Sequence, residues 1–210
     1  MKTERLSVNK FSGWKNVCAV FLLCAATAIA SPAQTLTTLY SFTGGNDGGF
    51  PLGRLVQATD GNLYGTTFQY GAAGSGTVYK LTPSGTLTTL HSFTGYSDGA
   101  QPYAGLIQAT DGNFYGVATL GGFARGTVFK ITSSGTFTSL HAFAGYPTDG
   151  ENPWPPLVQA SDGNFYGTTY AGGTNATSQR GRADCRCIRR RLAGSSTPAT
   201  RAAVSPSAGP

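Results

Sequence analysis

One nine-residue phrase, present three times, limits the possible folds of this chain more than any other feature. It reads Gln-Ala-Thr-Asp-Gly-Asn-Leu-Tyr-Gly from residue 57 and Gln-Ala-Thr-Asp-Gly-Asn-Phe-Tyr-Gly from residue 108, and from residue 159 Gln-Ala-Ser-Asp-Gly-Asn-Phe-Tyr-Gly, a period of 51 residues. A fixed period of this size marks a repeat architecture, in which each unit buries its apolar faces only against its neighbours.

Within each period the residues predict four short strands. In the first copy these are Leu55–Thr59, Asn62–Thr67, Thr77–Thr82 and Thr86–Phe93. The second copy predicts Leu106–Thr110, Asn113–Thr119, Thr127–Thr132 and Thr136–Phe143. Asp-Gly, Pro-Ser-Gly and Ser-Ser-Gly separate these β-prone runs, and glycine there supplies positive φ without a Cβ clash. The strands do not alternate cleanly: Val128, Phe129 and Ile131 place apolar groups on both faces. Strands covered on both sides carry this pattern. Four-stranded sheets stacked face to face satisfy it, and a period near 50 with four strands is a propeller-blade pattern. The expected fold is therefore all-β, with β-propeller-like tandem repeats of about 51 residues and an incomplete ring. A long-runged β-solenoid and a two-sheet sandwich are the alternatives.

The repeat region is expected over residues 31–177, with a lone strand at 35–42, repeats at 52–93 and 103–143, and a partial repeat at 154–170 that supplies Leu157–Ser161 and Asn164–Tyr170. The count falls short of the roughly 4–8 blades of closed propellers. From about Ser178 the aromatic residues vanish and Arg, Ala, Ser and Pro dominate. The break falls mid-repeat, which points to a reading-frame slip or a truncated gene; a native basic tail is the alternative. Either way residues 178–210 are expected to be disordered.

Charge is informative once it is located. The net +6 divides into +3 over residues 1–30, −3 over 31–178 and +6 over the last 32 residues. The repeats therefore lack a basic face for phosphates, and no nucleic-acid partner is expected. Residues 1–16 are polar and basic, Val17–Ala30 is an apolar run of 14, and Ala28-Ile29-Ala30 ends in small residues, with Ala33 as a second cleavage option. This is the order of a secretory signal peptide, expected over residues 1–30. The run is short of the roughly 20 residues that span a bilayer, so no membrane span is expected after its removal. The mature chain is expected to be secreted, periplasmic or at the cell surface. Cys18, Cys24, Cys185 and Cys187 all lie outside the repeats.

The Asp-Gly-Asn-aromatic-Tyr-Gly-Thr type phrase, Gly-Thr-Val-Phe-Lys at Gly126–Lys130 and Ser-Gly-Thr-Phe-Thr-Ser-Leu-His-Ala-Phe at Ser134–Phe143 together resemble the GloVer tandem repeat (the Gloeo/Verruco repeat) of exported bacterial proteins. The resemblance covers about residues 35–177. It implies an exported, propeller-like repeat protein, often with a C-terminal anchoring or sorting signal. It implies no established activity and carries over no catalytic residue. The chain leaves the pattern after Ser178, and no anchor segment is visible there.

Three sets of residues recur in ways that could carry chemistry. Asp60-Gly61-Asn62, Asp111-Gly112-Asn113 and Asp162-Gly163-Asn164 could offer oxygen ligands to Ca²⁺, but the expected role is turn capping on their own backbone. Tyr64, Tyr115 and Tyr166 are expected to pack between blades with their hydroxyls reaching partners; sugar stacking is the alternative. Asp47, Asp98 and Asp149 sit in Gly-rich loops between repeats and are the weak candidates for ligand binding. Trp154 interrupts the repeat as a candidate surface contact, and Asn175 begins a glycosylation-type Asn-Ala-Thr. No catalytic, cofactor-binding or metal-ligating residue is assigned, and no cofactor is expected. Glycoside hydrolysis needs two carboxylates flanking the bond, yet the repeats hold one glutamate, Glu151, and Arg54 and Arg125 at non-equivalent positions. The sequence thus predicts an exported, non-enzymatic surface or periplasmic interaction module; it does not identify the ligand, for which a carbohydrate or a protein at the cell surface are the candidates. A polysaccharide hydrolase or lyase propeller, and a nonfunctional truncated fragment, are the alternatives.

Overall fold

Asp-Gly turns and Gly-ended loops divide each repeat into strands too short to bury anything alone. The computed structural model describes residues 35–121 and 125–173. The expected signal peptide, the tail from residue 178, Asn175 and the four cysteines lie outside these. In the first repeat β1 (Val56–Gln57), β2 (Leu63–Thr67), β3 (Thr77–Leu81) and β4 (Leu87–Ser92) form one antiparallel sheet in chain order. In the second, β5 (Ile107–Gln108), β6 (Phe114–Ala118), β7 (Thr127–Ile131) and β8 (Phe137–Ala142) do the same. Register repeats with topology: Tyr64 opposes Lys80 as Tyr115 opposes Lys130. Among the described residues there is no helix, and so none long and apolar enough to cross a membrane.

Each third-to-fourth strand ladder slips by one residue, between Val78 and Tyr79 and between Val128 and Phe129. The extra residues are Leu90 and Leu140, and both pack against the apolar clusters between repeats. A bulge re-aims a side chain in this way. Here it turns a leucine into the seam.

The core lies between the sheets. Tyr64, Val78 and Phe93 of the first repeat meet Leu106, Phe114, Phe129 and Ile131 of the second. The opposite face of the second sheet gives Tyr115, Val117, Val128 and Phe143 to a second cluster with Leu157 and Phe165 of the third repeat. All five residues of β6 are buried as a result. That explains the missing alternation in the sequence: a middle sheet has no solvent face. Each fully buried Phe or Leu contributes about 1.5–3 kcal/mol. The spacing between strands is tight, since a Cβ on Gly116 would come within 2.5 Å of the Phe129 ring.

The third repeat is partial. It holds β9 (Gly150–Pro153), β10 (Val158–Gln159), β11 (Phe165–Tyr166) and β12 (Thr169–Gly172). β10 pairs with β11, and β9 pairs with β12. The sequence predicts one strand over Asn164–Tyr170, which the structure divides into β11 and β12, and a loop around Asp149 between the repeats. Instead the inter-repeat segment folds back as β9 and takes a strand of its own. The same return appears as single bridges in the earlier copies, Gly49 to Gln69 and Ala100 to Leu120. Glycine and proline in these segments hide the pairing from a propensity reading.

The lone strand expected at 35–42 forms no strand ladder. Fourth strands pair only with third strands here, and among the described residues none faces this segment. Its last residue packs on the first sheet by its side chain instead: Phe42 meets Tyr79 edge-on, with ring centroids 5.0 Å apart. The described residues thus form an all-β stack of two complete blade-like sheets and part of a third, not closed into a ring.

Candidate functional site

The recurring phrase begins as a turn. Gly61, Gly112 and Gly163 hold φ between 77° and 80°, the left-handed region that glycine enters freely. Asp60 accepts the Asn62 N–H at 3.0 Å, the Asn62 side-chain amide at 2.9 Å and the Tyr64 hydroxyl at 2.8 Å. Asp111 accepts the same three donors, from Asn113 and Tyr115 (3.1, 2.8 and 2.8 Å), and Asp162 takes them from Asn164 and Tyr166 (2.9, 2.6 and 2.9 Å). The Asn62 and Tyr64 bonds hold the Asp60 carboxyl below its ordinary range. Partial burial opposes ionisation of Asp111, but the bonds from Asn113 and Tyr115 outweigh it and lower its pKa too. Burial first, and the aspartate bond second, push the Tyr64 and Tyr115 hydroxyls upward.

The phrase also fastens one repeat to the next. Gln108 accepts the Thr59 N–H at 3.0 Å and donates to the Thr59 hydroxyl at 3.3 Å and to the Gly112 carbonyl at 3.2 Å. Gln159 bonds Thr110 in the same way, at 2.9 and 3.3 Å. Above these links Tyr64 stacks on Phe114 at 3.9 Å, and Tyr115 on Phe165 at 4.1 Å. The geometry places Tyr64 and Tyr115 inside the seams, where no sugar ring can reach them.

The loop aspartates are equally engaged. Asp47 accepts from the Tyr40 hydroxyl (3.0 Å), the Thr43 N–H (2.7 Å) and the Thr43 hydroxyl (2.7 Å). Desolvation opposes its ionisation, but the Thr43 bonds prevail and lower its pKa to about 2. Asp98 accepts from His91 Nε2 at 3.1 Å and the Thr94 N–H at 2.9 Å; Asp149 accepts from His141 Nε2 at 2.8 Å and the Gly150 N–H at 2.8 Å. The substitution of Tyr40 by His91 and His141 in the later copies now has a reason: each delivers one donor to the loop aspartate. The carboxylates put forward as ligand candidates close their own loops. The remaining acid, Glu151, pairs with Arg125. Among the described residues no three His, Cys, Asp or Glu side chains gather in a metal-binding group.

What the sequence did not reveal is a cleft of about 760 Å³ lined by the segments leading into β1, β5 and β10 of the three repeats, and by β5 and β10 themselves. Leu52, Arg54, Tyr103, Leu106, Trp154 and Leu157 are among its lining residues. Its floor is backbone on backbone: a Cβ on Gly105 would come within 2.5 Å of the Arg54 carbonyl, and one on Gly53 within 2.8 Å of the Gly105 nitrogen. Leu52, Tyr103 and Trp154 occupy one position of the 51-residue period. Each follows a segment fixed in the left-handed region at Phe50 (φ 56°), Gln101 (54°) or Asn152 (54°). Trp154, singled out in sequence as a break in the pattern, sits half-exposed at the cleft edge between Tyr103 and Tyr170. Arg54 is exposed, and among the described residues it forms no ion pair. Comparing equivalent positions across the period would have flagged this site, since Leu52, Tyr103 and Trp154 differ where the neighbouring phrase is constant.

Residues 24–181 match the signature of the Gloeobacter/Verrucomicrobia repeat. No curated protein is similar to the chain. One solved structure, an X-ray structure of a protein assigned as a gluconolactonase, is similar at 20% identity and a TM-score of 0.36 over 55% of this chain, which spans 40% of that protein.

Proposed function

The chain belongs to the Gloeobacter/Verrucomicrobia repeat family, and we propose that it is an exported, non-enzymatic binding module built on a propeller-type scaffold. One observation carries the reading. All six aspartates and the one glutamate of residues 31–178 are engaged by their own repeat or by Arg125. A glycoside hydrolase of the usual kind needs a carboxylate pair poised over a bond, with one member free to give a proton and the other to activate water or attack. These carboxylates are held as hydrogen-bond acceptors instead, and the lowered pKa values of Asp47, Asp60, Asp98, Asp111 and Asp149 suit those five poorly to act as acids. The open surface that remains is the cleft, which is apolar, aromatic at its edge and short of reacting groups. Sites on rigid repeat scaffolds recognise partners in this manner.

Export is part of the same proposal and rests on the basic, apolar and small-residue order of residues 1–30. Expression of the full chain with a C-terminal tag, followed by fractionation and N-terminal sequencing, tests it. The expected product lies outside the cytoplasm and begins after Ala30 or Ala33. An uncut chain in the cytoplasm overturns export. Release of reducing ends from a polysaccharide by purified protein, lost in Glu151→Gln, overturns the non-enzymatic reading.

A further inference from the structure

Three exposed rings line up on the second and third repeats: Tyr103 and Trp154 just before β5 and β10, and Tyr170 in β12. Tyr103 and Trp154 are 5.9 Å apart at an interplanar angle of 24°, and Trp154 and Tyr170 are 5.1 Å apart at 26°. Aromatic faces in contact are separated by about 3.5 Å. Centroid spacings this much longer mean that each ring is slid sideways over the next, as in a staircase. Tyr103 is 47% exposed, and Trp154 and Tyr170 are each 50% exposed, so the treads are open. Elsewhere in the fold near-parallel rings close to 4 Å apart, such as Tyr64 on Phe114, are spent on packing.

The staircase is held in place. Pro153 precedes Trp154 and Pro155 follows it, which limits backbone freedom on both sides. The Thr119 hydroxyl donates to the Pro153 carbonyl at 3.2 Å, the Asn152 side chain donates to the Thr119 carbonyl at 3.3 Å, and the Asn152 N–H donates to the Arg125 carbonyl at 2.8 Å. Preorganised aromatic anchors lose little entropy on binding. Beside them the cleft has one charged lining residue, Arg54, on a repeat region whose net charge, Arg54 included, is −3.

We propose that this staircase binds an acidic polysaccharide, with sugar rings lying on Tyr103, Trp154 and Tyr170 and Arg54 drawing their carboxylates. The inference rests on the binding-module reading. An open, shallow row of ring faces suits a ligand with an apolar C–H face on one side and hydroxyls that stay in water on the other. A hydrophobic peptide helix would need a deeper groove and would gain nothing from a guanidinium. A carboxylate matches Arg54 in charge and in its planar fork.

Affinity electrophoresis of the purified chain through gels holding polygalacturonate, alginate or neutral dextran tests the proposal. Both polyuronates are expected to retard the protein and dextran is not. Trp154→Ala is expected to weaken retardation about thirtyfold, as for an aromatic hot spot. Arg54→Gln is expected to weaken it about fivefold and to lower its salt sensitivity. Thermal melts report whether each variant is folded, and Tyr103→Ala replaces Trp154→Ala should the latter not fold. Equal retardation by dextran, or retardation unchanged in both aromatic variants, overturns the proposal. So does an absence of retardation in every gel, which leaves export and inactivity to their own tests. Release of reducing ends in the same gels would overturn both readings.

Discussion

The seam between repeats and the edge of the cleft are both built from positions that recur every 51 residues, yet they differ in burial and in how far the recurring residues are kept the same. In the seam, the residues recur: Gln108 and Gln159 reach Thr59 and Thr110, and Tyr64 and Tyr115 stack on Phe114 and Phe165. Polar groups there are paired and rings are buried. At the cleft edge the equivalent residues are Leu52, Tyr103 and Trp154, all exposed, with no shared partner. Repetition inside one chain therefore records what each interface needs in order to pack. Variation at an equivalent, exposed position shows where packing has ceased to decide the residue.

The largest effect that can break this comparison lies in the middle sheet. Phe129 is fully buried and contacts Phe93 and Phe137 at 5.3 Å each. Phe129→Ala should destabilise the fold by about 3–5 kcal/mol through lost burial and a cavity, measured by urea unfolding. Trp154→Ala, a residue of larger size at the cleft edge, should fall within about 0.5 kcal/mol of wild type. Comparable losses at the two sites would show the cleft edge to be structural.

A smaller effect separates the tyrosine ring from its hydroxyl. Tyr115→Phe keeps the stack on Phe165 and removes the donor to Asp111. A cost of about 1–2 kcal/mol is expected, because the acceptor is charged. A neutral outcome in chemical denaturation would assign the repeat's tyrosine to packing alone.

The smallest expected effect is the acid limb of the stability curve. Asp47, Asp60, Asp98 and Asp111 all have lowered pKa values in the fold. Their stabilisation is present above the unfolded value of 3.8 and is lost as pH falls through their folded values, about 2 for Asp47. His91 adds a separate step: burial lowers its pKa below 6.5 despite the Asp98 bond. Protonation then favours the unfolded chain, so stability should begin to fall below pH 6.5. In melts across this range, His91→Gln should remove the upper step and leave the lower one. An unchanged upper step would assign it elsewhere.

The third repeat shows how far the pattern could be read ahead. Its turn and the stack of Phe165 on Tyr115 follow the earlier copies. Thr169 does not: among the described residues its buried hydroxyl has no hydrogen-bond partner, whereas the equivalent Thr67 meets Thr77 of β3 at 2.8 Å. The position that Thr77 holds in the first repeat falls beyond residue 173 in the third, outside the described residues.

Sequence alone determined the all-β class, the 51-residue unit, the Asp-Gly-Asn turns and the strands of both whole repeats. These are local matters, set by glycine's access to positive φ, by short polar side chains that bond their own backbone, and by β-prone runs a few residues long. The tertiary structure decided the rest. It made Gln108, expected only as a strand residue, a link to Thr59 of the preceding repeat. It folded the glycine-rich segment before Trp154 back into β9. It brought Arg54, Tyr103 and Trp154 to one cleft from three different repeats, with Tyr170 stacked on Trp154 at its edge. No local rule reports such a convergence, because it depends on how one sheet is rotated and pressed against the next, and that is set by the shapes of buried side chains far apart in the chain.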